Sequence, residues 1–368
     1  MSYGTAYERW AGVGPYYAMF PASFAREVVQ NYTSRGQRIL DPFAGRASSV
    51  FAGAATGRPS VGIEINPVGW IYGETKLSPA PAEDVKARVK EISRIASDLP
   101  TNVGEDLTEF FRCCFSENSL RFLIAARENL DWQHTKIDRT LMALILIDLH
   151  GNRSRSFSNQ MRQSKAMSPD YSVNWWRERE MQPPEIDPQT FLEKKIQWRY
   201  AKGVPQTVDS TVLLGDSCYL MDGLGEQVAT KTQKRFSLLF TSPPYIGISD
   251  YHKDQWLRLW MLGGEPNALR IGEKHRGAFA SRNAYREMLS SVFTQAAEMM
   301  SQSGYVYVRT DARKLTFEIT RDVLRESFPR WHEKIIRRPY HKQTQTALYG
   351  DNTAKPGEKD IILSGPRT

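Results

Sequence analysis

Two hydrophobic periods alternate along the chain. Short apolar runs break off at Gly, Pro, Asp or Ser in QRILDPFAG (37–45), PSVGIEINP (59–67), STVLLGDS (210–217), FSLLFTSPPY (236–245) and GYVYVRT (304–310). Runs of this length bounded by turn residues predict buried strands. Between them the spacing turns helical. SVFAGAATG (49–57) predicts a small-residue helix, and SLRFLIAARENL (119–130) and TLMALILIDLHG (140–151) carry apolar residues at helical intervals, with Gly151 as a stop. Further helices are predicted around 189–201 and over AYREMLSSVFTQAAEMM (284–300). EKIIRRPY (333–340) and KDIILSG (359–365) predict an antiparallel pair closing a sheet. One long stretch, 152–179, is polar, basic and poor in regular period, and predicts a loop. LSPAPAED, in the composition shift at 75–85, marks a boundary.

Strand, glycine-containing turn, helix, then a strand ending in a carboxylate is the opening of a nucleotide-binding α/β unit. Here the carboxylate is Glu64, 23 residues beyond Asp41. Three turns, DPFAG, LLGDS and TSPPY, fall at the ends of predicted strands. Ligands of open α/β sheets bind along that edge. Each turn taken singly reads as an ordinary loop; their co-location carries the expectation.

Charge and composition narrow the function classes. The 368 residues carry a formal charge of +8, which suits a polyanionic partner. The three cysteines, Cys113, Cys114 and Cys218, lack metal-ligand spacing, so no metal site is expected. They suit a reducing compartment, and a cytoplasmic location is expected. The longest apolar run, LMALILIDL (141–149), is too short to cross a bilayer. The N-terminal stretch lacks the apolar core of a signal peptide. Between Arg153 and Lys165 stand four basic residues and no acid: Arg153, Arg155, Arg162 and Lys165. Asn152, Asn159 and Gln160 are interleaved among them, and Tyr171, Trp175 and Trp176 follow. Asn, Gln and Arg suit base-edge hydrogen bonds, but a solvated loop docked by its aromatics has the same composition. KIIRRPYHK (334–342), with Arg337 and Arg338, is a second basic cluster suited to backbone phosphates.

DPFAG, GIEINP, GDS and TSPPY, in this order, resemble the S-adenosylmethionine-dependent amino-methyltransferases of DNA, over roughly 10–75 and 208–310. The resemblance implies an α/β fold, a Rossmann-like class I methyltransferase sheet with a mainly helical inserted target-recognition region. It divides the chain into 1–78 (cofactor binding), 79–207 (the insert) and 208–368 (catalytic), which is the family's alpha-type order. The implied cofactor is S-adenosyl-L-methionine. Phe20 and Pro21, in FPASFAREVV (20–29), would pack on its methionine end, and Asp41 would sit by its amine. Pro42, Phe43 and Gly45 would form its loop, Glu64 would hold the ribose and Asp216 the adenine amino group. Ser242 Oγ and the Pro243 carbonyl would accept from the target amine, with Pro244 stiffening the turn and Tyr245 stacking on an extruded base.

Serine at the head of S-P-P-Y resembles the cytosine-N4 branch; Asp or Asn is commoner there in the adenine-N6 branch. The implied partners are double-stranded DNA and a cognate restriction endonuclease. Adenine N6, RNA, or a catalytically silent nucleic-acid-binding module are the alternatives. No cysteine stands in the motif, which argues against carbon-5 methylation. One departure stands out: Ala47, after Arg46, replaces the family's second glycine, and alanine adopts positive φ poorly. Arg46 is expected to face solvent, with contact to the cofactor carboxylate as the alternative.

Overall fold

The computed structural model describes residues 3–15, 20–246, 251–268, 281–338 and 357–366. Seven strands form one sheet: β1 (Arg38–Asp41), β2 (Ser60–Glu64), β3 (Thr211–Leu214), β4 (Phe236–Thr241), β5 (Met300–Asp311), β6 (His332–Arg338) and β7 (Glu358–Ser364). Their spatial order is β3-β2-β1-β4-β5-β7-β6. The first five run parallel, and β7 lies antiparallel between β5 and β6. The sheet is the expected Rossmann-like α/β sheet, and the expected C-terminal pair closes it. Pro339 and Tyr340, which the sequence pattern adds to the last-but-one strand, lie outside the described residues.

Period-two alternation sorts the strand residues onto two faces. Leu40, Ile63, Leu239, Val306, Val308, Ile361 and Leu363 share one apolar cluster with Leu289, Val292 and Phe293 of the helix Arg282–Met299. Their neighbours Ile39, Leu238, Phe240, Tyr307 and Ile362 face the other way, onto Ala25, Val28 and Val29 of the helix Ala22–Tyr32. Coverage on both faces explains why the inner strands read as unbroken apolar runs.

The segment 79–207 is mainly helical, with helices Ala82–Asp98, Glu109–Cys114, Glu117–Asn129, Lys136–Asp148, Pro169–Arg177 and Pro188–Tyr200. It does not stand apart. Its Phe111, Leu123 and Leu144 belong to the same apolar cluster as Trp10, Phe51 and Tyr72 of the first segment. Three of these helices, Ala82–Asp98, Glu109–Cys114 and Pro169–Arg177, are absent from the sequence expectation. Ala82–Asp98 buries Val85, Val89, Ile92 and Ala96, a helical stripe just beyond the Pro-rich boundary. Pro169–Arg177 lies inside the predicted loop; Ser168-Pro169-Asp170 is its start signal, with proline in the first turn. No helix among the described residues is long and apolar enough to cross a membrane.

Candidate active site

Five parallel strands end on one edge of the sheet, and β7, running the other way, begins there with Glu358 opposite Asp311. DPFAG, GDS and TSPPY follow β1, β3 and β4 and so meet along this edge.

The turn after β1 is shaped from within. The Asp41 carboxylate is buried, accepts from the Phe43 N–H at 3.1 Å and is bonded by the Ser49 hydroxyl. Burial pushes its pKa up to about 6, against the pull of those hydrogen bonds. Glu64 clamps the loop from the next strand: Gly45 N–H donates to Oε2 at 2.7 Å and Asn66 N–H to Oε1 at 2.8 Å. Gly45 and Ala47 both take left-handed backbone, with φ +54° and +58°. Alanine does occupy the position for which the sequence made it an awkward tenant. Gly69, on the helix Pro67–Leu77, lets this loop press down, since a Cβ there would lie 2.6 Å from the Gly45 carbonyl.

Arg46 corrects the expectation of a solvent-facing side chain. It is only 4% exposed, and its Nη1 donates to the Gly14 carbonyl at 2.9 Å. Burial lowers its pKa to about 10, with Tyr3, Tyr72 and Tyr7 opposing. Lys76, also buried, donates to the Arg46 carbonyl. The pair holds the loop to the N-terminal segment, a tertiary role that a hydrophilic side chain beside a glycine does not announce.

The remaining expected cofactor residues ring the same edge. Phe20 is buried and stacks on Phe240 of β4 at 4.6 Å. Pro21, exposed, stands at the N-cap of Ala22–Tyr32. Pro42 is buried and its carbonyl accepts from the Ser217 hydroxyl, joining the β1 and β3 turns. Phe43 is half-buried and meets Phe293 edge-on at 6.4 Å. Asp216 caps the helix Ser217–Ala229 through Cys218 N–H at 2.9 Å.

After β4, Ser242 and Pro244 are half-buried and Pro243 is buried. The Tyr245 ring is 8% exposed, and its hydroxyl lies 3.1 Å from Ser242 Oγ. At the start of β7, burial raises the pKa of the Glu358 carboxylate, and Arg309, 3.5 Å away, opposes. Arg313 fixes the turn: Nη2 donates to the Ile246 carbonyl at 2.7 Å, and Nε is bonded to Asp311. Behind this turn Asp360, fully buried, takes two hydrogen bonds from Arg309 and one each from Tyr307 and Arg338. Burial would raise its pKa, but Arg309 and the other donors hold it below the usual carboxylate range. Arg309, Asp311, Arg313, Glu358 and Asp360 were missed by sequence reasoning. YVRTDAR (307–313) and EKD (358–360) carry the charges at strand ends, the one signal that could have found them.

The expected DNA-reading residues are dispersed. Arg153 and Arg155 are exposed, Arg153 donating to the Gln182 carbonyl at 2.9 Å. Asn159 is fully buried; its amide donates to the carbonyls of Cys113 and Met181, which fixes the loop rather than offering an edge to a base. Gln160 is half-buried and engaged too: its side chain accepts from Arg153 N–H and its carbonyl from the Trp176 indole. Arg162 and Lys165 line a cleft of about 260 Å³ with Tyr171, Lys253 and Trp256, and Lys165 pairs with Asp254. Arg337 is exposed on β6, whereas Arg338 is tied to Asp360 at 2.8 Å.

Sheet and site define an α/β protein that gathers its polar loops on one carboxyl edge. Residues 3–68 match the family model described as DNA methylase. Over 285 residues the chain is 24% identical to the Type II methyltransferase M.BsoBI of Geobacillus stearothermophilus. The match covers 68% of this chain and 53% of that protein, so the chain spans about half its relative's length. Among solved structures, TrmN from Thermus thermophilus aligns over 98% of this chain and 52% of its own, at 8% identity and TM-score 0.34. The rRNA methyltransferase aviRa from Streptomyces viridochromogenes aligns over 99% and 96%, at 11% identity and TM-score 0.35. At these scores the fold description rests on the sheet order itself.

Proposed function

We propose that the chain is an S-adenosylmethionine-dependent DNA methyltransferase that acts on the exocyclic N4 of cytosine. The observation that carries this reading is the placement of Ser242-Pro-Pro-Tyr245 at the end of β4, beside the β1 turn clamped by Glu64. The match of residues 3–68 to the DNA methylase model and the likeness to a Type II methyltransferase support it.

The residues present fit the cofactor. A carboxylate oriented by two backbone N–H groups, a left-handed loop of small residues and an aromatic ring on β4 suit a nucleoside with an amino-acid tail. When bound, the cofactor supplies an electrophilic methyl group on a sulfonium. Glu64 would hold its ribose, Asp216 its adenine amino group, and Phe20 with Pro21 its methionine end. Pro42, Phe43 and Gly45 would shape the loop around it. Asp41 acts on that loop from inside, so its role is to hold the turn.

An exocyclic amine is a poor nucleophile because its lone pair is delocalised into the base. Acceptors at Ser242 Oγ and the Pro243 carbonyl draw its N–H groups and hold the nitrogen toward attack. Pro243 and Pro244 fix φ and keep these acceptors in place. A duplex base must leave the stack to reach them. The exposed cations Arg153, Arg155 and Arg337, with Arg162 and Lys165 in their cleft, would supply DNA contacts, and a restriction endonuclease of the same specificity is the expected partner.

The test is incubation with S-adenosylmethionine and plasmid DNA, followed by nucleoside mass spectrometry and base-resolution mapping. N4-methylcytosine is expected. N6-methyladenine would overturn the base assignment, methylation confined to added RNA the nucleic acid, and no product the enzymatic reading.

A further inference from the structure

We infer that the cleft beside Tyr171 is a site for one unstacked nucleotide, which puts its base on the Tyr171 ring and its phosphate against Arg162, Lys165 and Lys253. The inference rests on the reading just proposed: it names what the insert would grip while the target base is out of the duplex.

The ring is the starting point. Tyr171 is 57% exposed on the helix Pro169–Arg177, whose Ser172, Val173 and Trp176 are buried. An aromatic face left in solvent forgoes its burial, and a base of any identity can stack on it. Around the ring, Arg162, Lys165 and Lys253 line a cleft of about 260 Å³, and no acid lines it among the described residues. Met167 and Trp256 supply its apolar wall. Cations that hold phosphate beside an aromatic platform are the chemistry of single-stranded nucleic acid. A duplex base, stacked on both sides, cannot offer its face to such a ring.

Charge also limits the size of the occupant. Past Ser168, Lys253 and Ala268 the groove opens into a second cleft of about 410 Å³. Asp170 stands on its wall, with Glu109 held there by Arg177. A carboxylate at that end repels a second phosphate. The strand therefore does not run on through the groove, and the cationic cleft takes the phosphate of one nucleotide.

The cleft is built on a fixed joint. One wall comes from the insert, the other from the helices Tyr251–Asp254 and Trp256–Met261, the next described helices after the S-P-P-Y turn. Ala166 N–H donates to the Asp254 carbonyl at 2.9 Å, the Trp256 indole to the Met167 carbonyl at 3.0 Å, and Arg258 Nη2 to the Gln163 carbonyl at 2.7 Å. Lys165 pairs with Asp254 at 2.5 Å. The wall that carries the cations is thus stitched to the chain that leaves the catalytic turn. Under the proposed function, a nucleotide held here has two sources in the opened duplex: the base left opposite the extruded cytosine, and a neighbour unstacked beside it. The chemistry of recognition is the same for both.

The test reads binding, without cofactor or turnover. A single-stranded oligonucleotide of mixed sequence is compared with an abasic strand of the same length. Wild-type protein should bind the base-bearing strand about tenfold tighter. Tyr171→Ala should lose that preference with its salt slope unchanged, and Tyr171→Phe should keep it. Arg162→Ala and Lys253→Ala should each lower the salt slope by about 0.7 and keep the preference. In a duplex carrying a mapped methylation site, abasic positions opposite the target and on either side of it separate the two sources. The roughly tenfold cost of Tyr171→Ala should vanish where the missing base is the one the ring holds. Equal strand preference in wild type and Tyr171→Ala, or a Tyr171→Ala cost that survives every abasic position, overturns the inference, while N4-methylcytosine made by the wild type still upholds the proposed function. A wild type that makes no methylated base removes that function, and the single-strand preference then decides the cleft by itself.

Discussion

At the scale of single residues, two positions on the β1 turn hold opposing demands. Asp41 is an acid made to shape a turn from inside, with a folded pKa of about 6 against an ordinary 3.8. The folded state therefore holds the proton more tightly. Stability is fullest below pH 4 and falls as pH rises toward 6, by about 3 kcal/mol in all. Asp41→Asn should remove that fall, because an amide can accept from Phe43 and donate to Ser49; denaturant melts at pH 4 and 7 check it. Ala47 sits at φ +58° with its methyl buried. Left-handed backbone costs alanine about 1–2 kcal/mol, and glycine would lose a comparable amount in unfolded-state entropy and packing. Ala47→Gly should thus melt near wild type, while Ala47→Val, β-branched and without room, should be destabilised by more than about 2 kcal/mol. The sequence makes Asp41 legible as the end of a strand. It does not show that Ser49, a turn later, folds back onto the carboxylate.

At the scale of elements, the strand-to-turn junctions were legible because each joins an apolar run to Gly, Pro, Ser or Asp. DPFAG, GDS and TSPPY lie where the pattern puts them. The loop 152–179 was legible only as composition. Its Asn and Gln suggested base edges, yet Asn159 joins two backbone segments that meet only in the fold. A buried amide and an exposed one read alike in a polar stretch, since neighbours in space decide which it is. Asn159→Ala should leave the Cys113 and Met181 carbonyls without this donor and destabilise the protein by about 1–3 kcal/mol. Calorimetry would show the lowered melting temperature, and the folded fraction should bind DNA normally. The charges of β5 and β7 were invisible as a site for a related reason. Arg309 and Asp360 are ordinary residues on distant strands until β7 enters antiparallel beside β5.

At the scale of the whole molecule, a formal charge of +8 suits a polyanionic partner but does not say which cations would meet it. The structure sorts them. Arg338 is exposed like Arg153, Arg155 and Arg337, but its guanidinium is held by buried Asp360. Arg153→Ala and Arg155→Ala should each weaken binding to all sequences alike and reduce the salt slope by about one. Arg338→Ala should instead lower stability and leave that slope unchanged. Affinity measured at two salt concentrations, beside a melting curve, separates these outcomes. The helical segment 79–207 shares its apolar cluster with the first part of the chain. The boundary proline run was legible, but this common core was not, because periodicity reports a buried face and not its partner.

The place of β7 also bears on the order in which the sheet is completed during synthesis. β6 pairs with β7 and not with β5, so it must wait for a strand that leaves the ribosome later. Until Glu358 and Asp360 emerge, β5 presents an open edge, and Tyr307 and Arg309 lack their carboxylate partner. At about 5–20 residues per second this interval lasts seconds. A nascent chain would then carry the loops after β1, β3 and β4 on an unfinished sheet, and under the proposed function translation would hold back methylation until one late strand arrives.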